Sequence, residues 1–322
     1  LITIDSELII QNGKKYYCPA VLEGIEWSTE RIGAPGQLTF KILEDKKLKI
    51  SEGNAVRFKY KGKKVFYGFI FSRQTDGGGE ISVTAYDQLR YLKNKETYVY
   101  ENKTLTEVVK KIITDFSLRE GRLEDTKYKI PSRVEDNQTL FDIIANAQDI
   151  TMMNKGKMYV LYDDFGKIAL KDISNMKVDI VIDKTTGQKY NYSSSIDSET
   201  YNQIKLYYDN KETKEREIYI AKSTKNINSW GVLQYYEKLQ DGENGQVKAD
   251  TLLKLYNARK KTLSITKAIG DYRVRAGSMV VVSLVLDNKK VLSYMLVEKC
   301  KHIYNDREHW MDLTLRGGDF SV

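Results

Sequence analysis

Two stretches of this chain carry one pattern, and that duplication limits its fold more than any other feature. Leu48-Lys49-Ile50-Ser51-Glu52-Gly53-Asn54-Ala55-Val56 and Tyr272-Arg273-Val274-Arg275-Ala276-Gly277-Ser278-Met279-Val280 each run two alternating apolar positions into a glycine and then an apolar strand, 224 residues apart. Both continue through a short turn, Lys61-Gly62-Lys63 or Asp287-Asn288-Lys289, into a strand opening Lys64-Val65-Phe66 or Lys290-Val291-Leu292, now 226 apart. Both close on an alternating strand, Ile81, Val83, Ala85 in one and Met311, Leu313, Leu315 in the other, at a separation of 230. Upstream, Leu38-Thr39-Phe40 and Leu263-Ser264-Ile265 match at 225. The separation grows only where turns lie. That is expected of two copies of one antiparallel meander, because a slip inside a strand turns every side chain to the wrong face while a loop absorbs it.

The length of 322 residues fits two or three domains. Aliphatic and aromatic residues make up 41%, enough for ordinary cores, and 23 Tyr against 3 Pro favour strands. No apolar run approaches the roughly 20 residues of a membrane helix, so no membrane insertion by this chain is expected. The start, Leu1-Ile2-Thr3-Ile4-Asp5, lacks the pattern of a secretory signal. Cys18 and Cys300 are too few for a disulfide framework and are expected as reduced thiols in a cytosolic setting. The net charge of +8 is spread among 44 acidic residues with no basic stripe. It describes a solvated lysine-rich surface, and no direct nucleic-acid binding is expected.

Taken in order, residues 1–95 read as a first β module. It begins with strands at Glu7 to Gln11 and Lys14 to Cys18 around Asn12-Gly13, a strong hairpin signal. Val21 to Ser28 and Gln37 to Leu43 follow, ahead of the first meander. Five or six strands with one apolar face predict a sheet closed on itself as a small barrel. Residues 96–175 read as an inserted α+β domain. There Leu105, Val108, Val109, Ile112, Ile113 and Phe116 form a helical stripe behind a Thr104/Glu107 capping box. A second helix carries Leu140, Ile143, Ile144 and Ala147, and a hairpin turns at Asp163-Asp164-Phe165-Gly166. Asp172 to Ser195 is polar and reads as a connector with one strand, Val178 to Ile182. Residues 176–322 form the second β module, opening with a strand at Tyr201 to Tyr208. An insertion at about residues 209–261 holds a strand near Glu217 to Ala221, a loop through Trp230-Gly231 and a helix from Gln246 to Lys261. The fold class is therefore β-rich α+β: two related small antiparallel barrels with an inserted α+β domain.

A search for catalytic chemistry finds little. His302 and His309 flank one hairpin loop, and with Cys300 they give too few partners at ligand spacing for zinc. No GxSxG, HExxH or phosphate-cradling glycine loop occurs. Asp163-Asp164 suits a turn better than a metal, and Gly77-Gly78-Gly79 reads as a hairpin loop. Glu23, Glu26, Asp163 and Glu243 are carboxylates of the kind a glycosidase pairs, but none stands out. Tyr207-Tyr208 and Tyr235-Tyr236 suit a glycan groove, a base-stacking platform or a large protein interface, and without a cleft motif the interface is preferred. No catalytic residue, cofactor or metal is assigned.

The order of β module, α+β insertion and second related β module resembles the central hub proteins of contractile phage tails, namely the late-control protein D family and the XkdQ-like baseplate hubs of defective-prophage tails. The residues carrying the likeness are Ser229-Trp230-Gly231-Val232-Leu233-Gln234-Tyr235-Tyr236-Glu237-Lys238-Leu239, the run from Ala249 to Thr262 leading into Leu263-Ser264-Ile265, and Gly270-Asp271-Tyr272-Arg273-Val274-Arg275-Ala276-Gly277. Lys103-Thr104-Leu105-Thr106-Glu107 and Gln138-Thr139-Leu140-Phe141-Asp142-Ile143-Ile144 match that family's middle domain. The resemblance implies a non-enzymatic homotrimer whose six similar modules join the hexameric tail tube to a trimeric spike. Its partners would be the tail-tube protein, the central spike protein and a neighbouring baseplate or wall-binding, LysM-type protein. It would assemble in the host cytoplasm and reside in the virion or tail-like particle. On this reading the meander edges join the modules, through Val56, Phe58, Phe66, Phe69, Val280, Val282, Leu284 and Leu292. Two other classes stay open: a tail-associated peptidoglycan hydrolase, and a barrel that binds glycans or nucleic acid.

Overall fold

The computed structural model describes residues 5–22, 24–197, 199–239, 243–286, 289–305 and 308–317. The first module comprises β1 (Ser6–Asn12), β2 (Lys15–Tyr17), β3 (Ile25–Glu30), β4 (Gln37–Leu43), β5 (Ala55–Tyr60), β6 (Lys63–Thr75) and β7 (Glu80–Tyr86). Alternation of apolar and polar residues places Val56, Phe58 and Tyr60 of β5 and Ile81, Val83 and Ala85 of β7 in one core. The middle unit holds β8 (Lys95–Tyr100), α1 (Leu105–Asp115), β9 (Glu120–Leu123), β10 (Arg133–Thr139), α2 (Leu140–Lys155), β11 (Tyr159–Asp163) and β12 (Ile168–Asp172). The Thr104 hydroxyl accepts from Glu107 N while the Glu107 carboxylate accepts from Thr104 N, so the capping box is present and the stripe behind it is buried. β13 (Lys177–Ile182) and β14 (Gly187–Ser195) follow, then a small unit of β15 (Gln203–Asp209), β16 (Arg216–Lys222), α3 (Thr224–Trp230), β17 (Gln234–Lys238) and α4 (Gly245–Tyr256). The second meander is β18 (Lys260–Ile269), β19 (Met279–Leu286), β20 (Lys289–Tyr304) and β21 (His309–Gly317). Among the described residues no helix is long and apolar enough to cross a membrane.

The repeat read in the sequence is a repeat of strand pairing. In the first module the order is β1-β5-β6-β7-β4-β3. In the second it is β13-β19-β20-β21-β18-β14. Residue partners correspond: Leu38 faces Ala85 and Leu263 faces Leu315. Each long strand bulges at the same place, between Ile70 and Ser72 of β6 and between Val297 and Lys299 of β20. Even the entry turn is shared. Gly53 (φ 83°) and Gly277 (φ 91°) take the left-handed conformation open to glycine. Ser51 N donates to Asn54 Oδ1 at 2.9 Å, and Arg275 N donates to Ser278 Oγ at 3.1 Å.

Several expectations are corrected. Among the described residues no pairing closes either module into a barrel; the two modules instead share one sheet of 13 strands, a continuous path from β14 to β2 from which β19 and β13 branch at β20. The second is not wholly antiparallel, since β13 runs parallel to β19. The polar stretch before Ser195, expected as a connector, contains β14, a full member of the large sheet; its exposed faces impose no apolar alternation. The strand at Tyr201 to Tyr208 does not join that sheet but centres a separate three-stranded one, β16-β15-β17, under α4. The helix expected to reach Lys261 stops at Tyr256, and Lys260 already belongs to β18. The loop through Trp230 is the end of α3, closed by Gly231 at φ 76°. Asp287, Asn288 and residues 318–322 lie outside the described residues.

Candidate functional site

What the fold assembles is a joint. β20 is 16 residues long, and its two halves have different neighbours. β19 pairs with the first half up to Leu296, and Gly277 N donates to Val297 O at 2.8 Å where that pairing ends. Beyond the bulge the vacated edge is taken by β3 of the first module, with Ile25 to Glu30 antiparallel to Tyr304 to Lys299. Opposite charges fix the register. Glu30 meets Lys299 at 2.9 Å and Glu26 meets Lys301 at 3.1 Å. Such exposed pairs are each worth about 0–1 kcal/mol. The Arg31 guanidinium grips both oxygens of Glu298 at 2.7 and 3.2 Å, a half-buried fork of the stronger kind.

Beneath the ladder lies an aromatic column. Trp27 stacks on His302 with centroids 4.9 Å apart, Tyr304 stacks on His309 at 4.2 Å, and Phe58 meets Tyr304 edge-on at 4.9 Å. Thr29 Oγ1 accepts from Ala276 N at 3.0 Å. His302 Nε2 lies 2.8 Å from the Val274 carbonyl, so that nitrogen carries the proton and donates. Its Nδ1 then accepts from His309 Nε2 at 2.8 Å. Burial, and then the neighbouring His309, push His302 down to about 3; burial takes His309 to about 4. Both rings are neutral at pH 7. Burial raises the Cys300 thiol, whose sulfur is 3.2 Å from His302 Nε2. With both His302 nitrogens committed this is packing, and among the described residues no group of three or more His, Cys, Asp or Glu could hold a metal.

The middle unit locks onto the same joint. The Arg275 guanidinium sits between Trp27, 5.6 Å from its centroid, and Tyr162, at 4.4 Å. Gly277 leaves room for Val160, which a Cβ there would meet at 2.6 Å. Asp87 is buried, accepting from Gly36 N at 2.9 Å and Leu89 N at 3.0 Å; burial and then Asp163 hold its carboxyl well above the usual range. Burial also raises Asp163 to about 6, while its Oδ1 accepts from Gly166 N within its own turn. These perturbed carboxylates are sealed structural groups. Of the others weighed for catalysis, Glu26 is in the joint, Glu243 pairs with Lys248 at 3.0 Å, and Glu23 lies outside the described residues.

The residues expected to join the modules fall as follows in the single chain. Val56, Phe58 and Phe66 are buried in the first core and Val280, Val282 and Leu284 in the second. Phe69 is half-buried, and Leu292 is exposed at 67%. No local pattern in the sequence announces the joint. Its signal was the pairing of Glu26 and Glu30 with Lys299 and Lys301 on two strands, which becomes informative only once those strands are known to be neighbours.

The model of the YqbQ-like family matches residues 25–316. Two proteins of Bacillus subtilis, the uncharacterized YqbQ and the phage-like element PBSX protein XkdQ, are each 32% identical to the chain, and each match covers 92% of both partners. Among solved structures, the 43 kDa tail protein of prophage MuSo2 from Shewanella oneidensis superposes with a TM-score of 0.70 at 12% identity, over 96% of this chain and 98% of that one.

Proposed function

The chain belongs to the YqbQ-like family, and from that membership we propose that it is the structural hub of a contractile tail's baseplate, a trimer whose six related modules form a pseudo-six-fold ring. The observation that carries the proposal is the repeated strand order, β1-β5-β6-β7-β4-β3 against β13-β19-β20-β21-β18-β14, within one polypeptide. Three copies of a doubled module approximate six-fold symmetry, which is what a piece joining a six-fold tube to a three-fold spike must present, and closed cyclic assembly is the usual mode for homo-oligomers. A relative from a phage-like element and the fold of a prophage tail protein support the tail setting. Tail-tube and spike proteins are the proposed axial partners, with a wall-binding baseplate protein alongside. The chain is proposed to assemble in the producing cell's cytoplasm and to end in the particle, acting by binding rather than catalysis. Light scattering on the purified protein at two concentrations tests the reading: a species of three times 37.2 kDa is expected, and a strict monomer or dimer at both concentrations contradicts it.

A further inference from the structure

The joint between β3 and β20 has a counterpart that the single chain leaves empty. In the second module the pairing of β19 ends where Gly277 N meets Val297 O, and β3 takes the edge from Lys299 onward. In the first module the pairing of β5 ends at the matching point, where Gly53 N donates to Ile70 O at 2.8 Å. Past the matching bulge Ser72, Arg73, Gln74 and Thr75 continue β6, paired on one side to β7 and with no strand on the other among the described residues. All four are exposed, whereas Cys300 and His302, which stand in β20 where Arg73 and Thr75 stand in β6, are buried. The strand equivalent to β3 is β14. It pairs with β18 as β3 pairs with β4, Tyr192 facing Leu263 where Trp27 faces Leu38, and its other edge ends the sheet. β14 is nine residues long, mostly exposed and free of proline. An open edge of that length invites pairing with another chain unless a partner covers it.

We propose that β14 of one copy adds to the free end of β6 in the next copy, repeating between chains the joint that β3 and β20 make within a chain. This rests on the ring reading and supplies its contact. Carrying the intramolecular register across sets Tyr192 opposite Thr75, Ser193 opposite Gln74, Ser194 opposite Arg73 and Ser195 opposite Ser72. The occupant is a second copy because the template is this chain's own joint. Each copy offers one β14 and one β6 end, so the contact is head to tail, and such contacts close into rings or run on as filaments.

The test is a disulfide placed in register. Directly opposed residues have Cα atoms about 4.5–5.5 Å apart, within disulfide reach. In a Cys18→Ser background, Ser193→Cys combined with Gln74→Cys changes exposed side chains only. Mild oxidation is expected to convert most of the protein to a covalent trimer on a non-reducing denaturing gel, with none from either single cysteine. Ser195→Cys with Ser72→Cys is a second in-register pair and should behave alike. A trimer by light scattering that neither pair cross-links overturns the strand pairing while leaving the ring. Cross-linked filaments support the pairing and overturn the ring, and a monomer without cross-links overturns both.

Discussion

The two β modules share a pairing network down to the bulge and the entry glycine, yet they differ where they meet neighbours. Ile25, Trp27 and Thr29 of β3 are buried because β3 is clamped onto β20. At the matching places β14 shows Tyr190 and Ser194, both exposed, and Tyr192, half-buried, and β6 ends in the exposed run Ser72 to Thr75. One architecture therefore carries an apolar, closed joint in one place and a polar, open one in the other. Burial in the folded chain selects tryptophan and histidine. An edge that must stay soluble until a partner arrives selects serine and tyrosine.

The largest expected effect treats the cores as equals. Phe58→Asp and Val282→Asp occupy equivalent buried positions, and each should cost about 4 kcal/mol or more by burying a carboxylate without a partner. Urea unfolding of the single variants checks this, and a large inequality would break the equivalence. Next, the joint separates from its open counterpart. Trp27→Ala should cost about 3–5 kcal/mol, whereas Tyr192→Ala, half-buried at the edge, should cost about 1 kcal/mol in the free chain. Its larger effect would appear in the mass measured by light scattering.

The entry glycines sharpen the comparison further. Alanine at Gly53 meets open space and suffers only the left-handed strain, about 1 kcal/mol. At Gly277 the clash with Val160 adds to that strain, for a total of about 2–4 kcal/mol. Equal denaturation midpoints for the two variants would show that the middle unit does not press on the second module. The smallest effect is that of pH. His302 and His309 titrate below their unfolded value of about 6.5, so their contribution is complete above that value and is lost as pH falls toward 4 and 3. The thermal midpoint should drop between pH 7 and pH 5, and drop less in His302→Gln. The raised Asp163 works the other way, its contribution fading as pH rises through about 6, so Asp163→Asn should steepen the acid loss.

The readable parts of this fold were those governed by local rules. Thr104 and Glu107 announce α1, Asp163 to Gly166 announce a turn, and the meander repeats because alternation and a left-handed glycine are written residue by residue. What the sequence left obscure depends on distant neighbours. β14 lacks alternation because neither face is deeply buried. β15 alternates well, but nothing in Ile204 and Leu206 says which sheet they join. The joint needs β3 and β20 to be adjacent, and the charges that seat it are ordinary surface residues until they are. Phe58 and Val282, expected on the meander edges that join the modules, are buried in the cores of the single chain.

The claim at the centre of this account is that two modules per chain and three chains make six nearly equivalent positions. Electron microscopy of the purified oligomer in axial projection tests it most directly. The account predicts a ring of six similar densities with strong six-fold and weaker three-fold rotational power. A three-lobed particle without six-fold power, or a ring of another order, would contradict it.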